Sequence, residues 1–248
     1  NALQELGRLE DAEASYRCAI ALQSDSAEIH SNLGITLKKR GRLDEAVSTY
    51  RQAIALNPDY AEAYSNLGLT LDELGRLEEA LANYERTMAL NPNVEYVLGA
   101  TLYLRMSLCI WDELPQNLHE LMRRINNGDR ASSPFHLHSL LDDPGIHRKA
   151  AEIYSNHKFP GSGLSPDSFR FYDHEKIRVG YFSPDFKNHP VSSLTAELYE
   201  IHDRNKFEIH AFSFSRNTND QLNIRIRNGV DHFHCVHSMS DQDVVALS

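Results

Sequence analysis

Four columns of residues recur at a spacing of 34 along the first third of the chain. Gly7, Gly41 and Gly75 form one, and Ala12, Ala46 and Ala80 a second. Tyr16, Tyr50 and Tyr84 form the third, and Leu22, Leu56 and Leu90 the fourth. A period of this length is one supersecondary unit repeated, and such a unit buries its apolar face only by stacking on a copy of itself. The chain is therefore bound to start as a quasi-one-dimensional stack of helix pairs. Small residues at Gly34, Gly68, Ala46 and Ala80 let paired helices approach closely, and Tyr and Leu fill the grooves between them. Gly ends the first helix of each pair and Pro58 and Pro92 stop the second.

The order Leu-Gly, Gly, Ala, Tyr, Ala, Pro within 34 residues is the tetratricopeptide signature. Two repeats are whole, residues 27–60 and 61–94, and the first is cut, because only six residues precede Gly7 where a full helix belongs. The opening at Asn1, inside a repeat, is what a piece of a longer protein would show, with further repeats upstream. Asn32 and Asn66 both stand at the sixth position of their repeats, on the first helix, which lines the concave face of such a superhelix. An amide there can donate to and accept from the backbone of an extended peptide, or it can be a solvated polar position. His30, at the position usually held by Trp, reads as a packing substitution rather than a ligand.

From residue 95 the period stops, but helical spacing of Leu, Met and Ile continues to 125, and residues 95–157 read as helices that close the solenoid. Residues 158–175, with Pro160, Gly161, Gly163 and Pro166, read as an exposed connection. Beyond it the pattern changes: 176–182 reads as a buried strand, 191–202 as a helix, 207–214 as a strand, 219–228 as a helix and 231–236 as a strand. Strands separated by helices of about ten residues imply parallel pairing with right-handed crossovers, hence a Rossmann-like sheet. Ligands gather at the carboxyl ends of strands in such sheets. Asp185, Asn188, His189 and Pro190 follow the first strand at that place. His189 can serve as a hydrogen-bond donor, a general base or a structural cap.

Composition excludes several classes. Lys and Arg number 25 against 35 Asp and Glu, a net charge of −10, which argues against a phosphate-neutralising surface for nucleic acid. Three scattered cysteines support neither a disulfide framework nor a thiolate zinc site and fit a reducing, cytoplasmic compartment. No apolar run is long enough to span a membrane. His136 with His138, and His232 with His234 and His237, have ligand-like spacing, but no carboxylate or third His completes the first set and no carboxylate or Cys stands at matching spacing in the second, so no metal site is assigned. GxGxxG, P-loop and HExxH motifs are absent.

Tetratricopeptide repeats joined to a segment opening Ile177-Arg178-Val179-Gly180-Tyr181-Phe182-Ser183-Pro184-Asp185-Phe186 and continuing Asn188-His189-Pro190 resemble the O-linked N-acetylglucosamine (O-GlcNAc) transferases and their Spindly-type relatives. Cys109-Ile110-Trp111-Asp112, Arg148-Lys149-Ala150 and Lys206-Phe207-Glu208-Ile209 extend the likeness along the chain. The resemblance implies an α-solenoid followed by a partial α/β Rossmann-like lobe of GT-B type, over residues 176–248. It implies transfer of a sugar, GlcNAc before fucose, from a UDP-sugar to Ser or Thr of a protein held along the repeats, with no cofactor and no metal. On the same basis His189 matches the family's active-site histidine, with Asp185, Asn188 and Pro190 in its loop, and Asn32 and Asn66 match the asparagines that grip acceptor backbone. The groups that hold the nucleotide are expected beyond Ser248, so these 248 residues alone are expected to be inactive. A second reading is a non-catalytic interaction scaffold.

Overall fold

The computed structural model describes residues 2–160 and 174–247, and the chain divides into two compact units, residues 1–164 and 165–248. The expected connection, 158–175, falls largely on residues 161–173, outside the described residues.

In the first unit, α1 (Ala2–Glu5) and α2 (Leu9–Leu22) precede the pairs α3 (Ala27–Lys39) with α4 (Leu43–Leu56) and α5 (Ala61–Glu73) with α6 (Leu77–Leu90). The turn inside each pair is set by its glycine. Gly41 has φ +75, its N–H donates to the Lys38 carbonyl, and the next N–H, from Arg42, reaches back to Leu37 at 2.9 Å. Gly75 repeats this with Asp72 and Leu71 at φ +73. Both are left-handed helix endings that a side chain would strain. Leu33, Leu37, Ala46, Val47, Tyr50, Leu67, Leu71, Ala80, Leu81 and Tyr84 make one continuous core through the stack.

That core does not end with the repeats. Helix α7 (Val97–Ser107) adds Val97, Ala100 and Leu104 to it, while Leu98 and Leu102 on its other side join a second core built by Leu121, Ile125, Leu137, Leu140, Ile146 and Ala150. The second core belongs to α8 (Leu114–Asn126), α9 (Pro134–Leu140) and α10 (Pro144–Lys158). A helix buried on both sides is apolar nearly all round, which is why α7 carries no repeat signature yet continues the stack.

In the second unit, β1 (Ile177–Ser183), β2 (Phe207–Ser213) and β3 (His232–Cys235) form a parallel sheet in that order, with α11 (Pro190–Ile201) and α12 (Gln221–Gly229) as crossovers and α13 (Asp241–Leu247) after β3. Tyr181, Ala211 and Phe233 on one face pack with Phe186, Ala196, Tyr199 and Ile226. The opposite face carries Phe182, His210, Phe212 and His234 as stacked rings, with Phe182 and Phe212 4.4 Å apart between centroids. One expectation is corrected: β1 is not a buried strand, since Ile177 is 55% and Phe182 49% exposed. It lies at the edge of the three-stranded sheet, and its apolar run reflects the aromatic face as well as the packed one.

Candidate functional site

The loop after β1 is held from three directions. Ser183 Oγ accepts from the Asp185 N–H at 3.0 Å, and Ser192 Oγ donates to the Asp185 carbonyl. Asn223, fully buried on α12, donates from Nδ2 to the Phe186 carbonyl at 2.6 Å. Asp220 accepts from the Asn188 N–H at 3.0 Å through Oδ2 and caps α12 by accepting from the Asn223 N–H at 2.9 Å through Oδ1. A hydrogen bond from Thr218 Oγ1, then those backbone donors, hold the Asp220 carboxyl below its ordinary pKa. The backbone of residues 185–188 is thus fixed by the neighbouring crossover.

His189 ends this loop as the N-cap of α11, with Pro190 at the first helical position, where its missing N–H costs nothing. Nδ1 of His189 accepts from the Val191 N–H at 3.2 Å, and Asp185 Oδ2 lies 3.7 Å from the same nitrogen. With Nδ1 accepting, the proton of the neutral ring is on Nε2, which makes the half-buried ring a donor to whatever approaches it. Accepting a proton at Nε2 instead requires Nδ1–H to turn from the cap to Asp185. Asp185 is half-buried and Asn188 and Pro190 are exposed, so the loop gathers all four expected residues at the carboxyl end of the first strand.

The two asparagines lie in the other unit, each half-buried on the first helix of its repeat. Their backbone carbonyls accept from Thr36 and Thr70 hydroxyls at 2.9 and 2.7 Å, and neither side-chain amide has a hydrogen-bond partner among the described residues. Asn66 borders a cavity of about 440 Å³ that Tyr84, Tyr96, Ala100, His136, Tyr154 and Lys158 also line. Ala100 falls one period after Asn66, so the column 32, 66, 100 loses its amide at the third step. Tyr96 is in the left-handed region at φ +65, its hydroxyl 2.7 Å from His157 Nδ1, with the Lys158 ammonium 5.5 Å from its ring centre. Backbone held in that region by a bulky residue is stored strain of a kind that collects at binding sites. His136 stacks on Tyr103 at 5.0 Å, its Nδ1 is buried without a hydrogen-bond partner among the described residues, and burial lowers its pKa. Sequence reading missed Tyr96, His136, Tyr154 and Lys158 in this role; the one available signal was that position 100 keeps the period.

The fold brings His232 of β3 beside two side chains of β2: Glu208, His210 and His232 present ligand atoms within 4.8 Å of one another. His210 pairs with His232 in the parallel register, and Glu208 lies two residues earlier on the same face. His237 is not among them.

Comparison with known families matches residues 1–39 and 36–75 to the TPR repeat, 61–94 to the tetratricopeptide repeat and 163–246 to glycosyl transferase family 41. The chain is 28% identical over 164 residues to the probable UDP-N-acetylglucosamine–peptide N-acetylglucosaminyltransferase SEC of Arabidopsis thaliana, a match covering 59% of this chain and 16% of that protein. It is also 28% identical over 141 residues to the UDP-N-acetylglucosamine–peptide N-acetylglucosaminyltransferase of Caenorhabditis elegans, covering 51% of this chain and 12% of that one. Among solved structures, an O-GlcNAc transferase mutant of Thermobaculum terrenum aligns with 99% of this chain and 41% of its own, at 21% identity and a TM-score of 0.47. The chain thus spans less than a fifth of the length of these two curated relatives.

Proposed function

We propose that this chain, a homologue of the UDP-N-acetylglucosamine–peptide N-acetylglucosaminyltransferases in which tetratricopeptide repeats precede a glycosyl transferase family 41 domain, serves a protein-glycosylating enzyme. Residues 1–94 are its repeats, 95–157 the helices that close them, and 176–248 the opening of the catalytic lobe. The donor is a UDP-sugar, GlcNAc as in the names of both relatives, and the acceptor is a Ser or Thr hydroxyl of a polypeptide laid along the repeats. Three free, exposed cysteines are suited to a reducing compartment such as the cytoplasm.

The observation that carries this reading is the placement of His189: within the segment matched to family 41, it stands at the carboxyl end of the first parallel strand, where open α/β sheets bind their ligands. A hydroxyl attacking a sugar must lose its proton as the bond to the diphosphate breaks, and the departing oxygens gain charge. The capped geometry suits His189 to the second need: Nε2–H donates to an oxygen of donor or acceptor, while the Val191 N–H on Nδ1 holds the ring in place. On the repeats, the side-chain amides of Asn32 and Asn66, without a hydrogen-bond partner among the described residues, suit a peptide backbone, and the aromatic cavity beside Asn66 suits one side chain of that peptide.

The test separates the two sites. In protein expressed from the complete coding sequence, Asn32→Ala with Asn66→Ala is expected to raise KM for a protein acceptor by about tenfold, the worth of one or two lost hydrogen bonds, with hydrolysis of the UDP-sugar unchanged. An unchanged acceptor KM removes the repeats from acceptor binding.

A further inference from the structure

The sheet of the second unit brings together a ligand set that neither the repeats nor the His189 loop uses. Glu208 Oε1 lies 2.9 Å from His210 Nε2 and 3.3 Å from His232 Nε2. A zinc ion bound at about 2.0–2.1 Å to tetrahedral N and O ligands sets those ligand atoms about 3.3 Å apart, so the two separations from Glu208 Oε1 already stand near that length, and all three ligand atoms lie within 4.8 Å of one another. Their backbones are fixed by the parallel ladder, in which His210 is the partner of His232, and Glu208 shares their face two residues before His210. The outer partners are also in place. His234 Nε2 is 3.2 Å from His210 Nδ1, so a ring that offers Nε2 to a metal can donate Nδ1–H to His234, the arrangement that orients metal-binding histidines elsewhere. Arg178, in register with Glu208 on β1, lies 3.6 Å from the same Oε1 and its side chain is 43% exposed, so it gives way to solvent when a metal takes that oxygen.

We infer that Glu208, His210 and His232 form a binding site for one divalent transition-metal ion of the zinc class, with a fourth position open to water. Two imidazoles and one carboxylate suit zinc, cobalt or nickel, whereas magnesium and calcium select oxygen donors throughout. The site is at the amino end of the sheet, because Glu208 and His232 open their strands, whereas His189 follows the carboxyl end of β1. The metal therefore takes no part in sugar transfer. It staples the four-residue strand β3 to β2 and stabilises the native unit in proportion to its occupancy.

The experiment is a cobalt(II) titration of the metal-stripped chain, read by the visible absorption of four-coordinate cobalt, followed by competition with zinc. One saturable equivalent is expected, displaced by zinc and untouched by magnesium, with a matching rise in the melting temperature. His232 is 51% exposed on its side chain, so His232→Ala spares the fold, and it is expected to abolish the saturable signal. His234→Ala is expected to weaken binding about 10–100-fold as an outer partner, and His119→Ala, on α8, to leave it unchanged. A wild-type chain without a saturable four-coordinate equivalent, or a His232→Ala chain that binds as well as wild type, overturns the assignment.

Discussion

Gly34→Ala sets two effects of opposite sign against each other in the middle of a helix. Helix propensity alone favours alanine over an interior glycine by about 1 kcal/mol. Close packing opposes it: a Cβ on Gly34 would stand 2.6 Å from Cε1 of Tyr50 and 2.8 Å from Cδ1 and Cζ. Carbons in contact rest at about 3.5–4.0 Å, so the overlap is roughly 1 Å. Tyr50 is 0% exposed inside the repeat core and has no room to retreat, so α3 and α4 must separate. Overpacking of this kind costs about 1–3 kcal/mol, and the net destabilisation is on the order of 1 kcal/mol. Urea unfolding followed by far-UV circular dichroism reads it as a lower midpoint at unchanged slope. Replacing Tyr50 with Leu in the Gly34→Ala background is expected to recover part of the loss, so that the pair is less destabilised than the sum of its singles. Gly68, whose Cβ would meet Tyr84 at 2.9 Å, is expected to behave alike. A Gly34→Ala midpoint above wild type would mean that propensity wins, and would refute the claim that the glycine column exists to seat the tyrosine column.

Burial tends to raise the Glu13 pKa, but hydrogen bonds from Arg17, Arg42 and Arg40 outweigh it and hold the carboxyl at about 2 against an ordinary 4.5. A folded pKa below the unfolded one adds stability that is complete above about 4.5 and is lost as the pH falls through about 2. Glu13→Gln is therefore expected to lower the free energy of urea unfolding at neutral pH by about 1–2 kcal/mol, and the two unfolding curves to converge in acid; a pH-independent difference contradicts the assignment. Asp220→Ala removes both the α12 cap and the anchor of Asn188, and is expected to cost about 1 kcal/mol and to speed hydrogen exchange at the Asn188 amide. Unchanged protection there means the loop is held by other contacts.

The repeats were legible because their structure is local: the 34-residue period carries the helix pairs, the left-handed glycines and the small residues under each tyrosine. The strands and crossovers of the second unit were legible for the same reason, each being a short apolar run between turn signals. What escaped depends on neighbours distant in sequence. The alternation Glu208-x-His210 and the alternation His232-x-His234 are both visible, but only the parallel register of β2 and β3 makes them one cluster. The exposure of β1 follows from its place at the edge of the sheet, which apolar content does not encode. The capping role of His189 was one of three open readings, and the Val191 N–H pointing at Nδ1 decides how the neutral ring is protonated. Helix α7 lost its signature by being buried on both sides.

The central claim is that this chain belongs to an enzyme that moves a sugar from a UDP-sugar onto protein, with His189 at the site of transfer. Protein expressed from the complete coding sequence, given radiolabelled UDP-GlcNAc and a protein acceptor, measures it directly. Label is expected on Ser or Thr of the acceptor, and His189→Ala is expected to abolish incorporation while the melting temperature stays within a few degrees of wild type, since loss of a helix cap costs about 1 kcal/mol. No incorporation by the unaltered protein contradicts the function, and undiminished incorporation by His189→Ala contradicts the site.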